Sequence, residues 1–508
     1  MRKYLGGICI LLLLWGCKKD PVIVPPDPVV KADLEFKLEA AKNPGKVPSD
    51  VVLNIDGSAV KGDVPSFQNN HSFVLSFSFK DAASVVKVGD AVQQSGVTQN
   101  DFTKPVKYTV TDSKGAVKTF TVSIYNFTGL PIFYINTASP VVSKDDYVDG
   151  SLSINPNVDL DQDSSAMVMQ IKGRGNSTWG MPKKPYKIKL DKKASIFGLT
   201  AAKSWVLLAN YSDKTLMRNY LAYNLSQQLK GDFTPHGIFV EVIMNGQYAG
   251  NYLLCEQVEI KPGRVDITEL KASDVSGDAI TGGYLVELDQ RKDAEFMFST
   301  AGNLPFSIKE PEDIVPVQLD YIHNYMQQTE NAILAADFAN PTTGYAKYIN
   351  TDSFINWFLV NELFKNQDAA NFSSMYYYKD RGGKLGMGPA WDFDLGAGNV
   401  DYSDATKPEG WWVRDGLWFS HLFEDPAFKA KVRARWDHMK ANELPAMHKS
   451  ITDTKAYLTE SANENFRAWD ILGVYVWPNP VVLGTYPKEV DYMDNWFKQR
   501  EAWIDANL

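Results

Sequence analysis

The residues best suited to chemistry form a polar stretch near position 370 and a second stretch shortly after it. Asp368 and Asn371 follow a long apolar segment, and Asp392 and Asp394 come after a gap that leaves room for a β-hairpin. Carboxylate and amide oxygens are hard ligands that suit Mg²⁺ or Mn²⁺, and a carboxylate can accept a hydroxyl proton during phosphoryl transfer. The alternative is that these side chains only cap helices and turns.

Two local patterns would bring these acidic stretches together. The apolar residues of 351–365 recur at helical spacing behind a capping Thr351 or Asp352, which predicts a buried helix just before the first stretch. The apolar segments 375–379 and 384–387 flank a Gly-Gly pair and predict a hairpin. Because a hairpin returns the chain to its starting edge, we expect both acidic stretches at one end of a sheet.

A basic cluster lies upstream of the acidic residues. Arg174, Asn176 and Ser177 belong to a turn with two Gly residues, and such a turn can offer backbone N–H groups to an anion. Lys187 and Lys189 share one face of a predicted strand, opposite its apolar residues. This face could receive phosphates, and the alternative is a solvated edge strand guarded by Lys.

Length, charge and cysteine content exclude several classes of protein. A chain of 508 residues predicts two or three domains rather than one core. A net charge of -9 argues against nucleic acid as a partner, because neutralising phosphates requires a basic face. Of the 3 Cys, Cys9 and Cys17 lie near the N-terminus, so only Cys255 is left in the folded part and a Cys-based metal site is excluded.

The N-terminus reads as a targeting segment. Residues 1–17 combine a positive start, a short apolar run and a small residue before Cys17, which predicts a secretory signal. The end of this segment resembles a bacterial lipobox, so we expect a lipidated Cys17 and a membrane anchor. The Pro-rich stretch 18–32 then predicts an extended tether. These features place the protein in the bacterial cell envelope, at the outer membrane or the cell surface.

Residues 33–128 carry an all-β pattern. Phe73, Leu75, Phe77 and Phe79 alternate with polar residues, and short strands recur at regular spacing between turn signals. This pattern predicts a β-sandwich. The segment resembles the Ig-like spacer domains of surface lipoproteins of Bacteroidetes, and we expect it to take no part in chemistry.

Residues 129–508 mix strand and helix patterns, so the predicted fold is multidomain, an all-β sandwich followed by an α+β domain. The strand candidates are 167–172, 186–190, 205–208, 239–244 and 250–256. The helix candidates are 213–229, 316–335, 351–365, 426–441, 451–466 and 487–506.

Five motifs in this second region resemble the CotH kinase family, named for a spore-coat protein. The resemblance implies an atypical protein-kinase-like fold that uses ATP and Mg²⁺ or Mn²⁺ to phosphorylate Ser in a protein substrate. The motifs are Lys172-Gly173-Arg174-Gly175-Asn176-Ser177-Thr178-Trp179, Lys183-Lys184-Pro185-Tyr186-Lys187-Ile188-Lys189-Leu190, Leu208-Ala209-Asn210-Tyr211-Ser212-Asp213-Lys214, Asn245-Gly246-Gln247-Tyr248-Ala249-Gly250-Asn251-Tyr252-Leu253-Leu254 and Trp391-Asp392-Phe393-Asp394.

The resemblance also implies roles for the acidic residues. Asp392 looks like the metal-binding Asp that ordinary kinases carry in Asp-Phe-Gly, and Asp394 is close enough to assist. Asp368 resembles the catalytic-loop Asp. Asn371 is then expected to be the amide that binds a second metal ion.

For the phosphates and the nucleotide, the resemblance favours Lys187 over Lys184 and Lys189. Glu256 is the expected ion-pair partner of this Lys. The turn residues Arg174, Asn176 and Ser177 complete the expected nucleotide site. A Gly-x-Gly-x-x-Gly loop and a His-Arg-Asp motif are both missing from the sequence, so ordinary kinase landmarks do not fix these assignments.

Two other functions stay open at this stage. A kinase-like scaffold could serve as a non-catalytic surface module that binds glycan or protein, with Trp411, Trp412 and Trp418 as stacking residues or as ordinary core. The tether and the β-rich spacer would also suit a structural component of a surface assembly.

The lipobox-like segment yields a direct test. We expect the mature protein to begin at Cys17 and to carry lipid there, because the apolar run ends at the position that the cleavage signal requires. Intact-mass measurement of protein extracted from membranes should show the added acyl groups. A soluble product whose Cys17 carries no lipid would contradict the prediction.

Overall fold

The structure is a computed structural model that describes residues 34–508, so the predicted signal segment with Cys17 and the Pro-rich tether lie outside the described residues. The strands of the N-terminal region are β1 (Leu34–Leu38), β2 (Val51–Val52), β3 (Asn54–Asp56), β4 (Ala59–Val64), β5 (Ser72–Phe79), β6 (Val85–Val88), β7 (Ala91–Val92), β8 (Gln99–Asp101), β9 (Val106–Thr111) and β10 (Val117–Asn126).

These strands form two facing sheets with the orders β2-β1-β5-β8 and β3-β4-β10-β9-β6-β7. The two sheets share one core, in which Phe36 of the first sheet meets Phe120 of the second at 5.3 Å between ring centroids. Phe73 and Leu75 are buried there, as the alternation in β5 predicts. The prediction of an all-β N-terminal region is therefore confirmed.

A seven-stranded closed barrel follows after a connection of only a few residues. Its strands are β11 (Ile132–Thr137), β12 (Val148–Asn155), β13 (Met167–Gly173), β14 (Tyr186–Ala194), β15 (Ala202–Leu208), β16 (Ile238–Met244) and β17 (Gln247–Glu256). The order around the barrel is β11-β12-β13-β14-β15-β17-β16, and the parallel pair β11–β16 closes it. Strand β14 is therefore paired on both sides, which corrects the alternative of a Lys-guarded edge strand.

The remainder is α+β, as predicted. Its sheet has the order β19-β20-β18-β21-β22. The strands are β18 (Tyr284–Leu288), β19 (Met297–Ser299), β20 (Pro305–Glu310), β21 (Met375–Lys379) and β22 (Leu385–Met387). The helices are α1 (Arg218–Gln228), α2 (Pro316–Leu334), α3 (Thr351–Phe364), α4 (Leu417–Leu422), α5 (Pro426–Tyr457), α6 (Thr459–Ala468) and α7 (Tyr486–Asn507). Within residues 34–508, no helix combines the length and the apolar character needed to cross a bilayer.

Two helices are expected over 426–441 and 451–466, and the predicted break between them is in the wrong place. Helix α5 runs unbroken through Pro445, and the chain breaks instead at Leu458. A Pro inside a helix removes one backbone hydrogen bond, but buried side chains at helical spacing continue across it and hold the helix together. These are Leu444, Met447 and Ile451.

A buried lysine joins the barrel to helix α6. The Lys183 ammonium donates to the side-chain oxygen of Asn465 at 2.9 Å and to the backbone carbonyl of Asn251. Gly250 has φ 117°, and a Cβ there would lie 2.7 Å from the Lys183 side chain, so only glycine allows this close approach. Burial lowers the pKa of Lys183 to about 7.

The start of helix α1 also differs from the prediction, because an aspartate turn replaces its expected first residues. The Asp213 carboxylate accepts the backbone N–H of Thr215 at 3.0 Å and that of Arg218 at 2.9 Å, so the helix begins at Arg218. Arg218 and Asp213 form a buried ion pair at 2.5 Å. The same guanidinium donates to the carbonyls of Gly396 at 3.0 Å and Ala397 at 3.3 Å. This pair therefore ties α1 to the segment that follows Asp394.

Two asparagines complete the support of that segment. The Asn219 side chain accepts the backbone N–H of Phe393 at 2.7 Å. The Asn399 amide donates to the carbonyls of Asp394 at 2.8 Å and Ser212 at 3.2 Å. Three side chains, those of Arg218, Asn219 and Asn399, thus hold the main chain of the second acidic stretch in place.

The buried ion pair predicts a large effect of one substitution. Arg218→Met keeps most of the side-chain volume but leaves Asp213 buried without its partner, which typically costs about 3–5 kcal/mol. We expect a clear decrease in Tm by differential scanning calorimetry. Lys449→Met is the matched control, because Lys449 pairs with Asp453 on the exposed face of α5 and should cost less than about 1 kcal/mol. Equal melting temperatures for the two variants would contradict the scaffold role.

Candidate active site

A cleft of about 400 Å³ opens between the barrel and the five-stranded sheet. Arg174, at the end of β13, and Lys187, on β14, form its basic wall. Asp368, Asp392 and Asp394 form the acidic wall opposite. One cleft therefore joins the basic and acidic clusters, which lie about 200 residues apart in the sequence.

The acidic wall is built in the order that the sequence predicts. Helix α3 ends at Phe364, a short 3₁₀ turn carries Asp368, the hairpin β21–β22 returns the chain, and Asp392 follows. Asn350 caps α3 by accepting the backbone N–H of Ser353 at 3.3 Å, one position before the predicted caps.

Asp368 lies in a mostly buried position beside Ser373. The Ser373 hydroxyl donates to its carboxylate at 3.1 Å and accepts from the Arg291 guanidinium at 3.0 Å. Burial first and the negative charge of Asp392 second raise the pKa of Asp368 to about 6, while Ser373 and Arg291 act in the opposite direction. A carboxyl group with this pKa can exchange a proton near neutral pH.

Asp392 has a backbone conformation that few non-glycine residues adopt. Its φ is 66°, and left-handed backbone in a loop of this kind often marks a functional position. The Ser374 hydroxyl donates to the Asp392 carboxylate at 3.2 Å, and the Ser374 backbone N–H donates to Glu287 at 2.9 Å. Lys309 forms an ion pair with the other oxygen of Glu287 at 2.8 Å.

Asp394 lies in an electrostatically unfavourable position. Burial first, and then the charges of Asp392, Asp368 and Asp213, hold the pKa of Asp394 well above its usual range. The positive charge of Arg174 opposes this shift, and the Arg174 guanidinium lies over the Trp391 ring at 5.5 Å. A cation in the cleft would relieve this strain.

Lys187 points from the outer face of the barrel into the cleft, as the alternation of β14 predicts. It also lines an adjoining cavity of about 670 Å³, whose walls include Tyr147, Ile260 and Leu270. Burial lowers the pKa of Lys187, and Glu259 and Glu312 act against that change. Lys187 therefore lies at the junction of the two spaces.

The other two lysines lie elsewhere. Lys184 donates to the backbone carbonyl of Trp179 at 2.7 Å, and Lys189 lines only the larger cavity. Asn176 and Ser177 form an exposed rim of the cleft. With its amide oriented to satisfy hydrogen bonding, Asn176 accepts from Arg291 at 3.2 Å across the cleft.

The structure does not bring Glu256 to Lys187. In the barrel register, Lys187 lies opposite Val206, and Val206 lies opposite Cys255. Opposite residues share a face and successive residues alternate, so Glu256 belongs to the other face of the sheet. Its carboxylate instead accepts the backbone N–H of His236 at 2.8 Å and contacts the His236 ring at 2.8 Å.

Asn371 is also placed away from the cleft. It has φ 61° and lines a separate cavity of about 540 Å³ with Trp411 and Trp412. The left-handed turn at Asn371 directs the chain so that Ser373 and Ser374, not Asn371, lie beside the two carboxylates. The predicted second-metal amide is therefore not part of this acidic wall.

The three tryptophans considered for carbohydrate stacking differ in how far they are buried. Trp418 is buried and packs against Phe306 and Tyr377, so its role as a stacking residue is wrong. Trp411 and Trp412 are half-buried. The Trp412 indole N–H donates to the carbonyl of Asn366 at 2.9 Å, which supports the loop that carries Asp368.

Four further residues of the cleft have no counterpart among the residues predicted from the sequence: Arg291, Ser374, Glu287 and Lys309. Glu287 could have been identified from the sequence, because a single acidic residue inside the apolar strand β18 must find a partner when it is buried. The other three lie in ordinary polar contexts, and only strand pairing brings them to the cleft.

The donor set suits a hard divalent cation. Asp392, Asp394 and Ser374 line one wall, where their oxygen atoms could serve as ligands. Within the described part of the chain, no three His, Cys, Asp or Glu side chains come close enough to hold a metal ion unaided. A metal bound here would need further ligands from water or phosphate, which is the usual situation for Mg²⁺.

Comparison with known proteins gives one informative match. No curated protein matches this chain. A crystal structure from Bacteroides thetaiotaomicron, described as a "putative glycoside hydrolase", is 15% identical and covers 56% of this chain and 76% of its own, with a TM-score of 0.16. Residues 171–504, well over half of the chain, match the family described as CotH kinase protein. This chain therefore belongs to the CotH kinase family.

Proposed function

We propose that this protein is an atypical protein kinase that uses ATP and Mg²⁺ or Mn²⁺ to transfer phosphate to Ser of a protein substrate. The observation that carries the proposal is the meeting of a basic wall and an acidic wall in one cleft. A metal–nucleotide complex needs both signs of charge, because its phosphates are anionic and its metal is cationic.

The order of elements supports the same reading. Helix α3, the Asp368 loop, the hairpin β21–β22 and the Asp392 loop follow one another as the catalytic loop, hairpin and metal-binding loop do in protein kinases. The barrel takes the place of the nucleotide-binding lobe and supplies Lys187 from its outer face. This correspondence, together with the family membership, supports the proposal of a kinase-like site.

The basic wall would hold the phosphates. Arg174 presents a planar guanidinium that suits bidentate contact with phosphate oxygens, and Lys187 presents a point charge deeper in the cleft. The adjoining cavity of about 670 Å³ has room for the ribose and base against Tyr147, Ile260 and Leu270. Lys187 would then lie between the base and the terminal phosphate.

Asp392, Asp394 and Ser374 would hold the metal. When bound, Mg²⁺ or Mn²⁺ neutralises the charge on the transferring phosphate. The raised pKa of Asp394 fits this role, since the site favours a positive partner for that carboxylate. Arg218 and Asn399 would keep the loop in place while its charge is compensated.

Asp368 would accept the proton of the acceptor hydroxyl. Its carboxylate lies on the same cleft wall as Asp392 but comes from a different loop, so the two groups can act separately. The Ser373 and Arg291 contacts orient the carboxylate and favour its ionised form at neutral pH.

We also propose that the enzyme works in the bacterial cell envelope, at the outer membrane or the cell surface, and is held to the membrane through lipid at Cys17. The segment 1–17 and the tether 18–32 support this localisation by their sequence pattern.

Substitution of the two central aspartates separates their roles. Asp392→Asn removes a metal ligand and should strongly reduce metal-dependent ATP affinity. Asp368→Asn removes the base and should keep most of that affinity while reducing kcat by about 10²–10⁴-fold. Calorimetric titration of ATP with and without Mg²⁺, beside a phosphotransfer assay, measures both effects.

Asp453→Asn is the control for these variants, because it removes one negative charge from the exposed face of α5. It should leave both measurements unchanged. Metal-dependent ATP binding that survives unchanged in Asp392→Asn would rule out the metal assignment. If the unsubstituted protein binds no nucleotide, the kinase proposal fails.

The pKa of Asp368 predicts the pH dependence of catalysis. Only the ionised carboxylate accepts a proton, so kcat/KM for ATP, which reports the free protein, should fall as the pH decreases through about 6 and reach a plateau above it. Arg291→Gln removes a positive charge that lowers this pKa, so the inflection should move to higher pH. Rates at ATP concentrations well below KM between about pH 5 and about pH 8 test this. An identical inflection in both proteins would show that Asp368 is not the titrating group.

A further inference from the structure

Exposed aromatic side chains are concentrated on one side of the cleft. Across residues 34–508, five aromatic side chains are largely exposed, and four of these lie around the loop that carries Asp368. Their positions are Phe372, Tyr402, Tyr475 and Trp477, and the fifth is Tyr457 at the end of α5. Isolated exposed aromatics are ordinary, but a cluster beside a functional cleft indicates a binding surface.

Two of these rings stack on each other, and the third is tied by a hydrogen bond to the residue next to Tyr402; the three are called here the aromatic platform (Tyr402, Tyr475 and Trp477). The Tyr402 and Trp477 rings are nearly parallel, with an interplanar angle of 5° and a centroid distance of 5.9 Å. The Tyr475 hydroxyl donates to the Asp401 carboxylate at 2.7 Å. Relative exposures of 52%, 57% and 45% leave about half of each side chain in solvent.

Polar contacts behind the platform hold its segments in place. The buried Lys214 donates to the carbonyl of Val474 at 2.7 Å. The buried Asn479 donates to the carbonyl of Ser212 at 2.6 Å and to the side chain of Asn399 at 3.0 Å. The same main-chain segment therefore supports both the platform and the Asp394 loop. Such preorganisation lowers the entropic cost of binding a ligand.

The platform adjoins the catalytic loop directly. The Ser403 hydroxyl donates to the Gln367 side chain, so the residues next to Tyr402 and Asp368 are joined. Burial, with the negative charges of Asp368, Asp394 and Asp401, raises the pKa of Tyr402 to about 12. On the other side of the loop, the Phe372 backbone N–H donates to the carbonyl of Asp368 at 3.1 Å.

We propose that the aromatic platform is a binding site for a neutral oligosaccharide, located beside the loop that carries Asp368. The negative face of an aromatic ring attracts the C–H groups on one face of a pyranose ring. Hydroxyl groups at the edge of the sugar can donate to Asp401. Aromatic faces next to a carboxylate thus match the two surfaces of a sugar.

A peptide fits this surface less well. The platform lies on loops, so it offers no strand edge for β-strand addition. Tyr402 and Trp477 stack on each other, so they do not form the two walls of an apolar groove that would receive a helix. The charges that act on Tyr402 are those of Asp368, Asp394 and Asp401, all negative, which disfavours an acidic partner.

This proposal goes beyond the proposed kinase activity and does not depend on it. The test is performed without nucleotide, on the full chain, with xylohexaose, mannohexaose, maltohexaose and chitohexaose as separate probes. Intrinsic tryptophan fluorescence and saturation-transfer NMR should report saturable binding of at least one probe below about 10 mM. Trp477→Ala and Tyr402→Ala should each weaken that binding by about tenfold.

Tyr457→Ala is the matched control, because Tyr457 is an equally exposed aromatic residue remote from the platform. It should leave the affinity unchanged, and calorimetry should show that all three variants keep the melting temperature of the unsubstituted protein. Failure of all four sugars to bind overturns the proposal, as does unchanged affinity in the platform variants. Loss of binding in Tyr457→Ala alone would place the site elsewhere and would also overturn it. A separate ATP titration reports on the kinase proposal, so the two outcomes can be distinguished.

Discussion

Three carboxylates that repel one another must share one cleft, and much of the surrounding structure serves to keep them there. Burial and mutual repulsion raise the pKa values of Asp368 and Asp394, so the site would relax if its loops could move apart. The Asp213–Arg218 pair prevents this on one side by binding the main chain beyond Asp394. The fold thus stores unfavourable electrostatics at the position where a cation would offset it.

The parts of the site that could be predicted from the sequence are those whose structure is determined by residues close together in the chain. Helix α3, the Asp368 loop, the hairpin β21–β22 and the Asp392 loop each have a local pattern, and their order alone brings them together. The predicted ion pair between Lys187 and Glu256 is wrong, because the face that Glu256 occupies depends on the pairing of three strands. Local patterns do not reveal that pairing. The position of Asn371 depends on a single left-handed residue, which no periodicity reveals.

The ion pairs and hydrogen bonds that balance charge in the cleft also could not be predicted from local sequence patterns. Glu287 pairs with Lys309 across β18 and β20, and Arg291 joins the basic turn to the Asp368 loop. These contacts depend on which strands are neighbours in the sheet, and the strand order cannot be derived from local sequence patterns. In contrast, the continuation of α5 through Pro445 could have been anticipated, because the buried spacing persists on both sides of the proline.

The closure of the barrel has a consequence for the order of events during synthesis. The closing pair joins Ile132–Thr137 to Ile238–Met244, so it unites the first strand of the barrel with one made about a hundred residues later. A nascent chain can complete its β-rich N-terminal region once Asn126 has emerged, whereas β11 to β15 wait as an open sheet. Until Met244 and then β17 arrive, β11 and β15 present unpaired edges. Slow emergence of the chain during this interval would leave both edges open to pairing with neighbouring chains.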